Sequence, residues 1–170
     1  KDENIRATYT SNSKFYCVGD DIYEIDFPKT IKTLPLTEDF EKTLEVPIVQ
    51  ELNNAFFVVS KFSNYYYTYK ENQLTKKKFN SSFDFIQNLA IIDNSPWLCT
   101  PNGIIKYENE KATTYFSDYN VSYIFKDKQQ NYWISTVNSG LLFIQDFKNN
   151  FIPLFPKPTI FSSYGDQLLI

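Results

Sequence analysis

The amino-acid sequence predicts an all-β protein, a β-propeller fragment of about four four-stranded blades plus a truncated fifth. Aromatic residues, which favour the half-buried surface of strands, make up 18% of the 170 residues. Short segments of alternating hydrophobicity recur along the whole chain and are separated by polar turn residues. Four such segments fit within each repeat of roughly 40 residues, which is the period of a propeller blade.

An aromatic residue in the second strand of each repeat sets the period. The four anchors are 42, 40 and 36 residues apart and are Phe15, Phe57, Trp97 and Trp133. Their regular recurrence favours packing between neighbouring blades over ligand stacking. On that basis removal of the Trp133 indole would cost about 3–5 kcal/mol through the cavity it leaves.

The whole chain, residues 1–170, is predicted to be a single propeller unit. The expected blades span residues 5–35, 46–80, 84–117 and 120–155, with a partial blade at 159–170. Gly103 and Gly140 are 37 residues apart and start the third strand of their blades. A glycine at that place indicates a positive φ or a close backbone approach.

The composition excludes several classes of function. The chain has no histidine, so it cannot build a Ser-His-Asp or Cys-His catalytic site or an imidazole pH switch. Its 17 basic residues are outnumbered by 20 acidic ones, a balance that argues against nucleic-acid binding. Two cysteines 82 residues apart, Cys17 and Cys99, make neither a disulfide framework nor a zinc site. We therefore expect no enzyme, no metal and no cofactor.

The segment from Asp127 to Leu141 carries an acidic turn, then Asn-Tyr-Trp-Ile-Ser-Thr, then Gly-Leu. It resembles the two-component regulator propeller repeat, and Asn94–Tyr107 is a second match in register. The resemblance implies the periplasmic region of a Bacteroidetes-type sensor or hybrid histidine kinase, anchored in the inner membrane by parts of the protein outside this chain. It further implies signal transduction in response to a small-molecule or oligosaccharide ligand derived from carbohydrate.

A second interpretation is a β-propeller that serves as a protein-interaction or surface scaffold without signalling. A transmembrane span and a kinase core after Ile170 would favour the sensor. A glycoside-acting or quinone-dependent enzyme is a third and weaker reading, because the inner strands lack a repeated acidic signature.

In most propellers the ligand site lies on the face that carries the turns between second and third strands. On this chain the candidates at that face are Asp20, Asp21, Lys61, Asn64, Tyr65, Tyr66, Asn102, Asn138 and Ser139. The first strand of each blade would line a central channel, where polar side chains are expected from Gln50, Asn88 and Ser122.

The two ends of the chain give a last expectation. A first strand begins at Ile5, while the last repeat supplies only two strands. This arrangement predicts an open arc of blades whose two apolar flanks mediate self-association, since a soluble monomer rarely exposes large apolar patches.

Overall fold

A computed structural model describes residues 5–11, 14–19, 21–26, 30–34, 46–53, 55–71, 73–145, 147, 152–153, 162–164 and 167–169. All the regular secondary structure in these residues is β-strand. The strands form four sheets of four strands and one sheet of two, which confirms the predicted fold class.

The strands follow the order of the chain. Sheet 1 contains β1 (Ala7–Ser11), β2 (Lys14–Val18), β3 (Ile22–Asp26) and β4 (Thr30–Leu34). Sheet 2 contains β5 (Pro47–Leu52), β6 (Ala55–Ser60), β7 (Tyr65–Lys70) and β8 (Gln73–Lys78). Sheet 3 contains β9 (Asn88–Ile92), β10 (Ser95–Thr100), β11 (Gly103–Glu108) and β12 (Lys111–Tyr115). Sheet 4 contains β13 (Val121–Lys126), β14 (Tyr132–Thr136), β15 (Leu141–Ile144) and β16 (Ile152–Pro153). Sheet 5 contains β17 (Ser162–Tyr164) and β18 (Gln167–Leu169).

Each four-stranded sheet is an antiparallel meander in which consecutive strands pair. Tight turns of two residues make this possible, because they return the chain directly beside the strand it has just left. In the turn from β9 to β10, Asp93 and Asn94 have φ of 49° and 61°. Asn109 and Glu110 have φ of 49° and 62° in the turn from β11 to β12. Asn and Asp tolerate this left-handed backbone better than most residues.

The first strands of successive sheets lie side by side, β1 against β5, β5 against β9 and β9 against β13. They are therefore the innermost strands of a propeller, and the sheets radiate from them face to face. One apolar core lies between sheets 1 and 2, one between sheets 2 and 3, and one between sheets 3 and 4. In β10, for example, Leu98 packs towards sheet 2 while its neighbours Trp97 and Cys99 pack towards sheet 4.

Trp97, the anchor of sheet 3, is better buried than Trp133, the anchor of sheet 4. Its indole is 3% exposed and its ring lies 5.8 Å from that of Tyr132 and 5.1 Å from that of Phe147. The indole Nε1 donates to the carbonyl of Ile92 at 3.3 Å. This side chain therefore packs between sheets 3 and 4.

Trp133 has a different environment. It is only half-buried, because it points away from sheet 3, opposite to the neighbouring Ile134. The cavity cost expected for Trp133 therefore applies instead to Trp97. The Trp133 Nε1 donates to Asp127 Oδ2 at 2.9 Å.

The anchor of sheet 1 lies one residue later than the sequence alignment placed it. Tyr16, not Phe15, faces sheet 2, with its ring 4.0 Å from that of Phe56. Successive residues of a strand point to opposite faces, so Phe15 lies on the other face of sheet 1. Phe57, the anchor of sheet 2, is 2% exposed in the core against sheet 3.

The acidic turn of the repeat signature has a structural role. Asp127 accepts hydrogen bonds from the Asn131 amide N at 2.8 Å and from Asn131 Nδ2 at 3.0 Å, besides the bond from Trp133. One carboxylate thus closes the turn and orients the indole that follows it. Burial alone would raise the pKa of Asp127, but the hydrogen bonds from Trp133 and Asn131 outweigh it and lower that pKa.

The threonine and glycine of the signature close the next turn together. Thr100 Oγ1 donates to the carbonyl of Gly103 at 2.9 Å, and Thr136 Oγ1 does the same to Gly140 at 2.8 Å. The two glycines have φ of 100° and 74°. A Cβ on Gly103 would also collide with the carbonyl oxygen of Tyr115, so close backbone contact adds to the conformational demand.

Candidate functional site

The propeller has two rims where ligands can reach it. We call the upper rim the side with the turns between second and third strands, together with the connections from sheet to sheet. The lower rim carries the turns between first and second strands and between third and fourth strands. Every residue predicted from the sequence to bind ligand was placed on the upper rim. Of these, Asp20 lies outside the described residues.

On the upper rim, the turn after β6 lies against the connection that leads into β9. The Lys61 carbonyl accepts from the Ile86 amide at 2.8 Å, and the Lys61 ammonium lies 5.7 Å and 5.5 Å from the ring centres of Phe62 and Phe85. Phe62 is 57% exposed. The structure thus adds two aromatic rings, which the sequence analysis did not select, to the predicted Lys61.

The remaining predicted residues of the upper rim take part mainly in turn structure. Asn102 donates from Nδ2 to Asp84 Oδ2 at 3.4 Å, and the Asn64 carbonyl accepts from the Phe79 amide at 2.8 Å. The Ser139 amide donates to Thr136 Oγ1 at 2.9 Å. Asp21 accepts from the Tyr23 hydroxyl at 3.4 Å, and Asn138 is exposed.

Tyr65 is exposed and Tyr66 is buried, because the two side chains lie on opposite faces of sheet 2. Tyr65 is 37% exposed, with the Lys76 ammonium 4.8 Å from its ring centre. Tyr66 is 7% exposed and its ring stacks on that of Phe57 at 5.0 Å. Burial, and next the neighbouring Tyr107, raises the pKa of Tyr66 to about 12. Tyr66 is therefore a core residue, and its prediction as an exposed upper-rim contact was wrong.

Two of the three polar residues expected at the channel line a common cavity. Gln50 and Asn88 border a space of about 420 Å³ along the inner strands β9 and β13. Ser122 lies at a bulge in β13, and its hydroxyl forms a hydrogen bond of 2.8 Å with that of Ser135. The bulge turns Ser122 towards β14, which the regular alternation assumed from the sequence could not reveal.

A larger cavity, about 450 Å³, opens on the lower rim between sheets 2 and 3. We call it the lower-rim cleft. Its floor consists of the aromatic side chains of Phe57, Tyr66 and Tyr107, all of which are buried. Asn94 Nδ2 donates to Asn53 Oδ1 and joins the two sheets at one side.

Charged side chains surround the mouth of this cleft. Lys77 of sheet 2 lies 3.3 Å from Glu110 of sheet 3. The cleft lining also contains Asp93 and Glu108. These two carboxylates are paired with lysines outside the lining: Lys126 Nζ lies 2.5 Å from Asp93, and Lys106 Nζ lies 2.8 Å from Glu108.

The sequence analysis did not identify the lower-rim cleft. Most of its polar residues come from two-residue turns and strand ends that are far apart in the sequence, such as Asn53 and Asn94. The signal available was the Asp93-Asn94 and Asn109-Glu110 pairs, which are typical of tight hairpin turns at one end of a sheet. Among the described residues, no three His, Cys, Asp or Glu side chains are grouped so as to hold a metal ion.

The stacked four-stranded meanders define a β-propeller, and the comparison with known proteins agrees. No family model matches the chain, and no curated protein matches it. The chain is similar to the extracellular domain of the hybrid two-component system BT3049 from B. thetaiotaomicron, with 19% identity over 90% of the chain and a TM-score of 0.66. A second extracellular domain from that organism, BT4673, has 13% identity over 97% of the chain and a TM-score of 0.67. YCF48 from Cyanidioschyzon merolae has 14% identity over 95% of the chain and a TM-score of 0.65.

These likenesses establish the fold. The chain spans 23% of each B. thetaiotaomicron domain and 61% of YCF48. The similar structures also include an enzyme, virginiamycin B lyase from Staphylococcus aureus, so the fold alone does not select a function. The described part of the chain contains no helix of the length and apolar character needed to cross a membrane.

Proposed function

We propose that this chain is the extracytoplasmic, ligand-sensing β-propeller region of a two-component sensor kinase, and that its ligand is derived from carbohydrate. The agreement of two independent observations supports the proposal. The segment Asp127–Leu141 resembles the regulator propeller repeat, and independently 90% of the chain superposes on the extracellular domain of BT3049. In this role the chain binds and does not catalyse.

The propeller architecture suits a sensor because the side chains that hold the blades together are different from those that can contact a ligand. The cores between sheets hold the blades together, while the rims carry polar side chains from two sheets at once. A ligand bound at a rim changes the signal only if its affinity differs between two arrangements of the receptor. Contacts to two neighbouring sheets provide such a difference, because they depend on the angle between the sheets.

The sequence of the full polypeptide that contains this chain tests the signalling part of the proposal. We expect a membrane-spanning segment followed by a histidine kinase core. A polypeptide without a kinase core would overturn the sensor assignment and favour the interaction or scaffold module. Autophosphorylation in membrane vesicles, with and without a digest of plant polysaccharide, then tests whether the kinase responds to carbohydrate.

A further inference from the structure

The lower-rim cleft has the size and the lining of a small-ligand site. Its volume of about 450 Å³ lies within the range of small-molecule pockets. Its walls come from two sheets that are joined at this rim by Asn53–Asn94 and by Lys77–Glu110. A bound molecule would therefore contact both sheets.

The chemistry of the lining indicates which molecule fits. The amides of Asn53 and Asn94, the ammonium of Lys77 and the hydroxyl of Thr68 offer both donors and acceptors within one cleft. A ligand rich in hydroxyl groups matches such a mixed lining, because each hydroxyl both donates and accepts. The floor rings, including Tyr107, add apolar surface against which the C–H groups of a sugar ring can pack.

The charge of the lining narrows the class further. Three carboxylates line the cleft, Asp93, Glu108 and Glu110, against the single lysine Lys77. The ion pairs of these carboxylates engage Asp93 Oδ2, Glu108 Oε2 and Glu110 Oε1. The second oxygen of each can accept from a hydroxyl or an ammonium group. An anionic group would find one lysine in the lining, Lys77, and that lysine is already paired with Glu110.

We propose that the lower-rim cleft binds a neutral or amino-substituted sugar ring and rejects acidic sugars. This assignment rests on the proposed function, whose ligand it locates and narrows. The ligand holds sheets 2 and 3 together through hydrogen bonds to polar groups of both.

Titration calorimetry of the purified chain tests the assignment with three sets of probes. The neutral set contains maltotetraose, cellotetraose, xylotetraose and mannotetraose. The amino set contains chitosan tetramer. The acidic set contains hyaluronan and polygalacturonate tetramers. We expect binding from the neutral or amino sets and none from the acidic set. Loss of the Lys77 ammonium in Lys77→Ala should weaken that binding about tenfold or more, as for a hydrogen bond to a charged group.

Lys78→Ala is the matched control. Lys78 is the next residue of β8, exposed like Lys77, but it lies on the opposite face of sheet 2 and does not line the cleft. Glu108→Gln is a second test variant, which keeps the side-chain shape and removes one carboxylate. Glu108→Gln should weaken sugar binding, and it should weaken the binding of chitosan tetramer more than the binding of the neutral tetramers. Far-UV circular dichroism and the melting temperature confirm that each variant is folded.

Each outcome is decisive. Sugar binding that is unchanged in Lys77→Ala and Glu108→Gln overturns the cleft assignment but leaves the proposed function standing. Binding by the acidic probes that is as tight as binding by the neutral probes, or tighter, overturns the charge argument. No binding by any probe overturns the inference as a whole. The sensor assignment fails separately, through the absence of a kinase core in the full polypeptide.

Discussion

Replacement of Trp97 by alanine is the sharpest test of how the propeller is held together. The indole is 3% exposed, and three aromatic rings lie with centres within 6 Å of it, namely those of Tyr115 at 5.9 Å, Tyr132 at 5.8 Å and Phe147 at 5.1 Å. Tyr132 belongs to sheet 4, so the indole joins two sheets. We expect Trp97→Ala to lower the free energy of unfolding by about 3–5 kcal/mol, because the rigid neighbouring strands leave a cavity.

Trp133→Ala is the matched control, since it makes the same chemical change at the corresponding place in the next sheet. The Trp133 indole is half-buried and donates to Asp127, so we expect a loss of about 1–3 kcal/mol from the reduced apolar burial and the lost hydrogen bond. Trp97→Ala should lower the melting temperature by about 6–20 °C, given the usual conversion for chains of this size.

Urea unfolding followed by far-UV circular dichroism measures both variants, because the signal does not depend on the tryptophan removed. The analysis compares midpoints at a common m-value. A loss below about 1 kcal/mol for Trp97→Ala, or a larger loss for Trp133→Ala than for Trp97→Ala, would refute the inter-sheet role.

Three further outcomes follow from the structure, and a fourth tests an expectation from the sequence. Folding lowers the pKa of Asp127, so its carboxylate stabilises the fold at pH values above the ordinary carboxyl pKa near 3.8, and this contribution is lost on acidification. The difference in stability between the wild type and Asp127→Asn should therefore shrink below about pH 4. The fluorescence of Trp133 should also shift in this variant. Tyr66, whose pKa is raised by burial from 10.0 to about 12, should ionise late in an absorbance titration, with stability lost as the pH rises through that range. Gly103→Ala should cost about 1–3 kcal/mol in urea unfolding, because φ is 100° and the new Cβ meets the Tyr115 carbonyl. Light scattering should show concentration-dependent association of the chain, and a stable monomer at all concentrations would contradict the predicted self-association through its flanks.

The sequence predicted the sheets well because strand alternation and turn residues are local signals. Each of the first four sheets has the four strands expected of a propeller blade. The anchor of sheet 1 slipped by one residue for a local reason as well. In the run Phe15-Tyr16-Cys17-Val18 both faces of the strand are apolar, so hydrophobicity does not distinguish the face towards sheet 2 from the other.

The lower-rim cleft was harder to predict because it is not a property of one repeat. The lower-rim cleft forms where Asn53 of sheet 2 meets Asn94 of sheet 3, 41 residues later. An alignment of repeats compares equivalent positions within blades, while the cleft depends on different positions in adjacent blades. Tyr66 illustrates the same problem, since its burial depends on Phe57 and on Tyr107 of the next sheet.

The polar contacts at the lower rim bear on how binding could be transmitted. The apolar cores between sheets supply most of the attraction, but apolar contact is not directional. Asn53–Asn94 and Lys77–Glu110 are two of the directional contacts between sheets 2 and 3. The side chains of the Lys77–Glu110 pair are 55% and 76% exposed, and an ion pair this exposed contributes about 0–1 kcal/mol. A ligand that binds one inter-sheet angle tenfold more tightly than another supplies about 1.4 kcal/mol, which exceeds what this pair supplies. A ligand of the kind proposed for the lower-rim cleft would thus outweigh this ion pair.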